Sequence, residues 1–372
     1  MKLKRIGVLT GGGDAPGLNP AIKAVVMRAA EAGAETIGIY DGWRGLTDEH
    51  VHEVLPLDPL TVRTWDRDGG TNLGSSRTNP FKMRTAEGAE ASDHSAEVLR
   101  NLRERLGLDA LVPIGGEDTL GVGAKLAALG APIVGIPKTI DKDLGATDYT
   151  LGFDTSLATC AEIIERSRTP AGSHHWVQIV EVMGRHAGHL ALWSGLAGGA
   201  FATLIPEHPF SLSKLYRLLD DRLSAGLRDR RHPRYAVVVV SEGATAAGGD
   251  IITVENKMDD FGHARLGGVG AWLAERIRKD TAWDARAVAL GHPQRGGPPS
   301  AVDRLMGHLF GSAAVEAAER GAWGMMVSAR GIAPACDITL VSLSDAVRAL
   351  NLVDVDRFYD TERYQIKRSV LR

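Results

Sequence analysis

Seven short apolar runs, each bounded by turn residues, constrain this chain more than any other feature. They are Ile6 to Thr10, Thr36 to Tyr40, Ala110 to Ile114, Pro132 to Ile136, Val177 to Val182, Tyr235 to Ser241 and Arg286 to Leu290. Runs of this length that do not alternate with polar residues suit strands covered on both faces. The stretches between them carry helical periodicity. In Ser92 to Leu106, for example, Val98, Leu99, Leu102 and Leu106 share one face and Gly107 follows as a stop. Strands joined through helices pair in parallel, so the expected class is α/β with mainly parallel sheets. At 372 residues the chain exceeds an ordinary domain, and two lobes are expected.

Composition narrows the partners. A formal charge of -3, with 24% charged residues, exerts no long-range pull on nucleic acid or an anionic membrane. Phosphate binding, if present, has to be local. Two cysteines, Cys160 and Cys336, are too few for a disulfide framework, and a reducing compartment is expected. Residues Met1 to Arg5 run straight into a strand pattern, and no apolar run reaches membrane-spanning length. A cytoplasmic enzyme is the expectation.

Parallel sheets gather ligands at the carboxyl ends of their strands, and the polar motifs of this chain follow its apolar runs. Thr10 to Asn19 contains Gly11, Gly12, Gly13 and Gly17 ahead of a helical stretch, which suits an anion facing backbone amides and a helix N-terminus. The spacing fits neither G-x-G-x-x-G nor the Gly-Lys-Ser/Thr ending of a P-loop, and a ligand-free tight turn explains it too. Gly69 to Arg77 is a small-residue loop ending in a guanidinium suited to phosphate.

Two further segments, Gly115 to Leu120 and Pro137 to Asp143, bring together Glu117, Asp118, Asp141, Asp143, Lys138 and Lys142. Magnesium takes one or two carboxylates plus substrate phosphates, which suits Glu117. A hydroxyl acceptor needs a base, and Asp141 is the candidate. Taken singly, each acid also reads as a helix cap or a surface ion pair. In Val180 to Gly188, Arg185 is placed to neutralise a transferring phosphoryl group, Met183 to pack, and Glu181 to be a structural acid. His186 is given no role. Arg286, His292 and Arg295, followed by Asp303 and Arg304, suggest a pocket for a phosphorylated, hydroxylated small molecule, and Glu242 adds a carboxylate suited to hydroxyls.

Together these segments resemble the phosphofructokinase family from Gly7 to about Gly331. The resemblance rests on Arg286-x4-Gly291-His292-x-Gln294-Arg295-Gly296-Gly297-x5-Asp303-Arg304, on Gly-Gly-Asp-Ala-Pro-Gly at 12–17, on Thr139-Ile140-Asp141 and on Met183-Gly184-Arg185. It implies two Rossmann-like lobes. The expected division is 1–140 plus about 255–310 for the donor and about 141–254 plus 311–345 for the sugar phosphate, with 346–372 as a C-terminal extension. It also implies that Asp141 is the base and Arg185 bridges toward the transferring group. Thr139, Ile140, Met183, Gly184, Glu242, Arg286, His292, Pro293, Gln294 and Arg295 would bind fructose 6-phosphate. Gly13, Arg77, Asp118 and Lys138 would face the donor, Glu117 would hold Mg2+, and the assembly would be a homodimer or homotetramer.

Donor choice is where the chain departs from ATP-using members, which resemble Gly-Gly-Asp-Gly-Ser and Pro-Gly-Thr-Ile-Asp. Asp118 and Lys138 stand at the two glycine positions. A carboxylate at 118 would repel a nucleotide α-phosphate, costing on the order of several kcal/mol. Lys138 would reach into the same space and neutralise a shorter donor. By this resemblance the donor is pyrophosphate, with ATP as the alternative, and Asp118 and Lys138 join Asp141 and Arg185 as catalytic candidates.

Three other departures matter. Lys23 and Met27 replace arginines that hold an effector phosphate, so no strong nucleotide activation is expected. Trp176 replaces an arginine that reaches a neighbouring subunit's sugar phosphate, with His175, Lys367 or Arg368 as conceivable substitutes. Trp43 is expected near the adenine side. Two other classes are less suited. A lipid or dinucleotide kinase leaves Arg286 to Arg304 unexplained, and a non-catalytic sensor leaves Asp141 without purpose.

Overall fold

Each of the seven apolar runs forms a strand within two residues of its expected bounds in the computed structural model, which describes residues 2–83, 90–229, 231–249, 253–258 and 264–368. The main elements run β1 (Arg5–Thr10), α1 (Leu18–Glu31), β2 (Glu35–Ile39), β3 (Val54–Leu57), α2 (Ser95–Arg100), β4 (Ala110–Gly115), α3 (Glu117–Ala128), β5 (Val134–Pro137) and α4 (Phe153–His174). They continue as β6 (Val177–Val182), α5 (His189–Ala197), β7 (Ala202–Leu204), α6 (Leu212–Arg228), β8 (Ala236–Ser241), β9 (Thr253–Met258), β10 (Ala264–Leu266), α7 (Val269–Asp280) and β11 (Ala285–Ala289). Helix α8 (Ala301–Glu319), the hairpin β12 (Met325–Ile332) and β13 (Ala335–Ser342), two short helices, and a hairpin of β14 (Tyr359–Asp360) and β15 (Gln365–Ile366) complete the chain.

Two sheets carry the architecture. The first has strand order β13-β12-β5-β4-β1-β2-β3 and the second β11-β6-β8-β7. All pairs in the second sheet are parallel, as are β1 with β2 and β4, β4 with β5, and β5 with β12. The antiparallel β3 and β13 close the two edges of the first. Both of its faces are covered. Val8, Val112 and Ile114 join one core with α1 and α8, while Leu9 and Leu111 join another with Trp43, Leu102 and Leu120. That is why its strands read as unbroken apolar runs.

The sheets divide the chain differently from the sequence expectation. Strand β11, assigned there to the donor lobe, pairs with β6 in the second sheet. It follows α7, whose Val269, Leu273, Ala274 and Ile277 lie in the second core. Helix α8 and the β12–β13 hairpin, assigned partly to the sugar lobe, belong with the first sheet. Gly307 and Gly311 allow this, because a Cβ at either would stand 2.7 Å from Pro20 Cβ or 2.6 Å from the Ala21 oxygen of α1. Nor does the described part of 346–372 stand apart. Tyr359 and Tyr364 are fully buried in the second core, and the Tyr359 hydroxyl donates to the Thr203 oxygen at 2.6 Å. Residues 369–372 lie outside the described residues.

Candidate active site

The carboxyl ends of both sheets open onto one cleft of about 150 Å3. The segments after β1, β4 and β5 line it from the first lobe, and those after β6 and β11 from the second.

The glycine loop after β1 is pinned from beneath. Gly11 N–H donates to the Ile114 oxygen and Gly12 N–H to the Ser76 oxygen, both at 3.0 Å, so these two amides are used within the fold rather than turned to an anion. The loop carbonyls turn to Lys138 instead. Its ammonium donates to Gly11 O at 3.1 Å and to Gly13 O. Lys138 is only 3% exposed, and burial, with Arg295 adding repulsion, pushes its pKa down to about 7. Asp118 and Glu117 open α3 on the same side, where the positive end of the helix tolerates carboxylates, and Arg77 lines the same cleft.

The turn after β5 holds the acids. Asp141 N–H donates to Thr139 Oγ1 at 3.1 Å, and Thr150 Oγ1 fixes the Thr139 carbonyl at 2.7 Å. Asp141 Oδ1 is enclosed and has no hydrogen-bond partner. Burial, with the Asp143 charge adding to it, raises the Asp141 pKa to about 7. Burial also raises that of Asp143, while Thr139 and the neighbouring His186 oppose the rise.

From the second lobe Arg295 reaches across. Its Nη1 donates to the Asp14 oxygen at 3.0 Å and its Nε faces Met183 Sδ at 3.2 Å. Arg185 lines the cleft, and so does His186, for which the sequence suggested nothing although it follows Arg185 directly. Gly184 N–H approaches Glu242 Oε1 at 3.5 Å, and burial raises the Glu242 pKa. Gly184 adopts φ 138, and its carbonyl accepts from Ser241 Oγ at 2.7 Å, so the Met183–Arg185 turn requires glycine.

Several expected ligands sit elsewhere. Ile140 is 1% exposed and packs in the second core. Gln294 is fully buried and its amide is spent on Met183 N–H at 3.1 Å and the Gly291 oxygen at 2.8 Å. His292 and Pro293 are exposed outside the cleft lining. Arg286 lies on the exposed edge of the second sheet, its guanidinium 4.6 Å over the Trp176 ring and 3.6 Å from Asp284. Trp176 stacks on His174 at 4.9 Å. Lys367 donates to the Asp356 oxygen, and Arg368 lines a separate cavity beside α6. Trp43, expected near an adenine, is 1% exposed with its indole N–H on the Thr119 oxygen at 3.2 Å, so it belongs to the core.

Two acids of the sequence motifs are structural. Glu181 accepts from Gly268 N–H at 3.0 Å and Gly270 N–H at 2.7 Å. Asp303 accepts from the Tyr149 hydroxyl, Gly152 N–H and Thr155 N–H at 2.8, 2.7 and 2.9 Å, fastening α8 to the start of α4. No cluster of three or more His, Cys, Asp or Glu residues able to hold a metal alone occurs among the described residues. Glu117, at the head of α3 in the cleft lining, is a single carboxylate of the kind magnesium takes together with phosphate oxygens.

The fold and the cleft together define a two-lobed α/β phosphotransferase. The chain belongs to the phosphofructokinase family, whose Phosphofructokinase model matches residues 5–318. Among curated relatives, the pyrophosphate–fructose 6-phosphate 1-phosphotransferase of Amycolatopsis methanolica is 46% identical over 96% of this chain and 98% of its own. ATP-dependent 6-phosphofructokinase 3 of Streptomyces coelicolor is 45% identical over 96% and 99%. The fold resembles that of pyrophosphate-dependent phosphofructokinase from Marinobacter aquaeolei, with a TM-score of 0.79 at 23% identity over 98% of this chain and 89% of that one. The chain also matches 45% of the Saccharomyces cerevisiae phosphofructokinase chain, covering 93% of itself with a TM-score of 0.74 at 28% identity. No helix among the described residues is long and apolar enough to cross a membrane.

Proposed function

We propose that this protein transfers a phosphoryl group reversibly from pyrophosphate to the 1-hydroxyl of fructose 6-phosphate, giving fructose 1,6-bisphosphate and phosphate. The observation that carries the choice of donor is the floor of the cleft. Lys138 lies buried beneath the glycine loop, bonded to Gly11 and Gly13, with Asp118 opposite at the start of α3. A nucleotide would have to set its α-phosphate against that carboxylate, whereas pyrophosphate carries no such group.

In this reading the Asp141 carboxylate, in the cleft lining, takes the proton of the sugar 1-hydroxyl, and a pKa of about 7 suits a base working near neutrality. In the reverse direction the protonated acid returns it. Arg185 and Arg295 balance charge on the transferring group, and Lys138 stabilises the departing phosphate. Gly13 and Arg77 face the donor, while Thr139, Met183, Gly184 and Glu242 bound the sugar side. Glu117 would hold magnesium, which supplies charge neutralisation on the phosphate oxygens.

Arg286, His292 and Pro293, exposed outside the cleft of their own chain, are available to a second copy, in keeping with a homodimer or homotetramer. Lys23 is occupied by Asp66 Oδ1 at 2.7 Å and Met27 carries no charge, which supports an enzyme without nucleotide activation. A cytoplasmic location is consistent with two free cysteines.

The rival is the same reaction with ATP, a name that also occurs among relatives of similar identity. Purified protein supplied with magnesium, fructose 6-phosphate and one donor at a time decides between them. Turnover with pyrophosphate is expected; turnover with ATP and none with pyrophosphate would overturn the donor assignment.

A further inference from the structure

The segment after the β12–β13 hairpin returns to the cleft before it enters the second core. Asn351 Nδ2 donates to the Lys142 oxygen at 2.9 Å, and Asn351 N–H donates to the Asp143 oxygen at 2.7 Å. Both acceptors belong to the turn that carries Asp141. On its other side the Asn351 oxygen accepts from His189 Nε2 at 3.1 Å, at the start of α5. Two residues on, Val353 N–H donates to Glu207 Oε1, which also accepts from Gly188 N–H, both at 2.8 Å. Residues 351–353 therefore join the turn after β5 in the first lobe to the end of the loop that carries Arg185 in the second.

The turn needs such a hold. Lys142 adopts φ 56, a left-handed conformation that is unfavourable for a non-glycine residue and persists only where neighbours enforce it. Asp143 and Asp141 repel one another, which also favours opening. Thr139 Oγ1 secures one end through Asp141 N–H, and Gly145 N–H reaches the Ala346 oxygen at 3.0 Å beyond the other. Only Asn351, among the described contacts, bonds the backbone oxygens of Lys142 and Asp143.

From these contacts we infer that Asn351 is a positioning residue: it holds the Lys142–Asp143 backbone so that Asp141 faces the acceptor hydroxyl in register with Arg185. The C-terminal segment is thereby part of the active site and not an accessory tether. This rests on Asp141 being the base. The charged groups acting on Asp141 are Asp143 and Glu242, which raise its pKa, Arg295 and Arg185, which lower it, and the nearby Lys138.

The test uses full-length Asn351→Ala and Asn351→Asp. Asp keeps the size of the side chain but cannot donate to the Lys142 oxygen when ionised, so a mere packing role would be retained in it. Both variants are expected to lose roughly tenfold to a hundredfold in kcat with little change in KM, because the base is misplaced while the binding groups stay. Amide exchange in residues 139–145 should quicken in both. Unchanged kcat in a folded variant, or a lower melting temperature as the sole effect, would overturn the inference. If the wild-type protein shows no turnover with pyrophosphate, the functional reading fails separately, and unchanged exchange over 139–145 still overturns the positioning role.

Discussion

Arg295 donates to the backbone oxygen of Asp14 at 3.0 Å, so a guanidinium from the second lobe closes on the glycine loop of the first. A Cβ at position 13 would fall against the Arg295 guanidinium, the movable end of a long side chain, and push it from this place. Gly13→Ala is expected to displace the guanidinium and lower kcat/KM roughly tenfold to a hundredfold for pyrophosphate and for fructose 6-phosphate alike. Thermal melting should barely change, since Gly13 lies at the cleft rather than in a core. Steady-state kinetics with each substrate varied in turn measures this, and an unaffected variant would mean that Arg295 has room to retreat without loss.

The floor of the cleft should determine the donor. Asp118→Gly with Lys138→Gly removes both the carboxylate that repels a longer phosphate chain and the ammonium that neutralises the departing phosphate. Pyrophosphate turnover is expected to fall by about two orders of magnitude or more. ATP, if it gains access, should gain rather than lose relative rate. Full pyrophosphate turnover in the double variant would remove these residues from donor selection.

The pH dependence follows from two buried groups of opposite sign. Asp141 acts as a base only when ionised, so kcat/KM should rise with pH through about 7. Lys138 serves a polyanion only when charged, so kcat/KM should fall above about 7. The free enzyme is therefore expected to give a narrow bell centred near neutrality. A bound donor favours the charged lysine, so the basic limb of kcat should lie at higher pH than that of kcat/KM. Profiles of both constants from pH 5 to 10 would test this, and a flat plateau across neutrality would contradict it.

How much of this was legible in the sequence depends on the range of the interaction. The central strands were readable because a parallel strand covered on both faces must be apolar throughout, whereas β11, found by the same rule, is exposed from Arg286 to Ala289 at the edge of its sheet. The cleft was readable in outline because parallel strands deliver their following loops to one edge, which brought Gly13, Asp118, Lys138, Asp141 and Arg185 together. What failed were assignments that depend on how the chain crosses between lobes. No local pattern said that β11 would pair with β6, or that 351–366 would return to the second core. Side-chain direction failed likewise. Gln294 and Arg295 are adjacent in one motif, yet one supports Met183 from inside and the other reaches the glycine loop. Asp303 looked like part of a binding signature, but its oxygens fasten the start of α4.

Asp141 also links chemistry to stability. Its native pKa, raised to about 7, lies above the ordinary value of 3.8, so the native state holds a proton that the unfolded chain has released. Stability is therefore lost as pH rises from about 4 to about 7, and the full penalty is present above that window. Asp141→Asn removes the charge while keeping the shape. It should abolish phosphoryl transfer and raise the melting temperature at pH 8 by a few degrees, with the gain vanishing near pH 4, where the wild-type carboxyl is neutral too. Differential scanning calorimetry of both proteins across that range is the measurement. A destabilised or pH-independent variant would mean that the Asp141 carboxylate is better compensated than its partnerless Oδ1 implies.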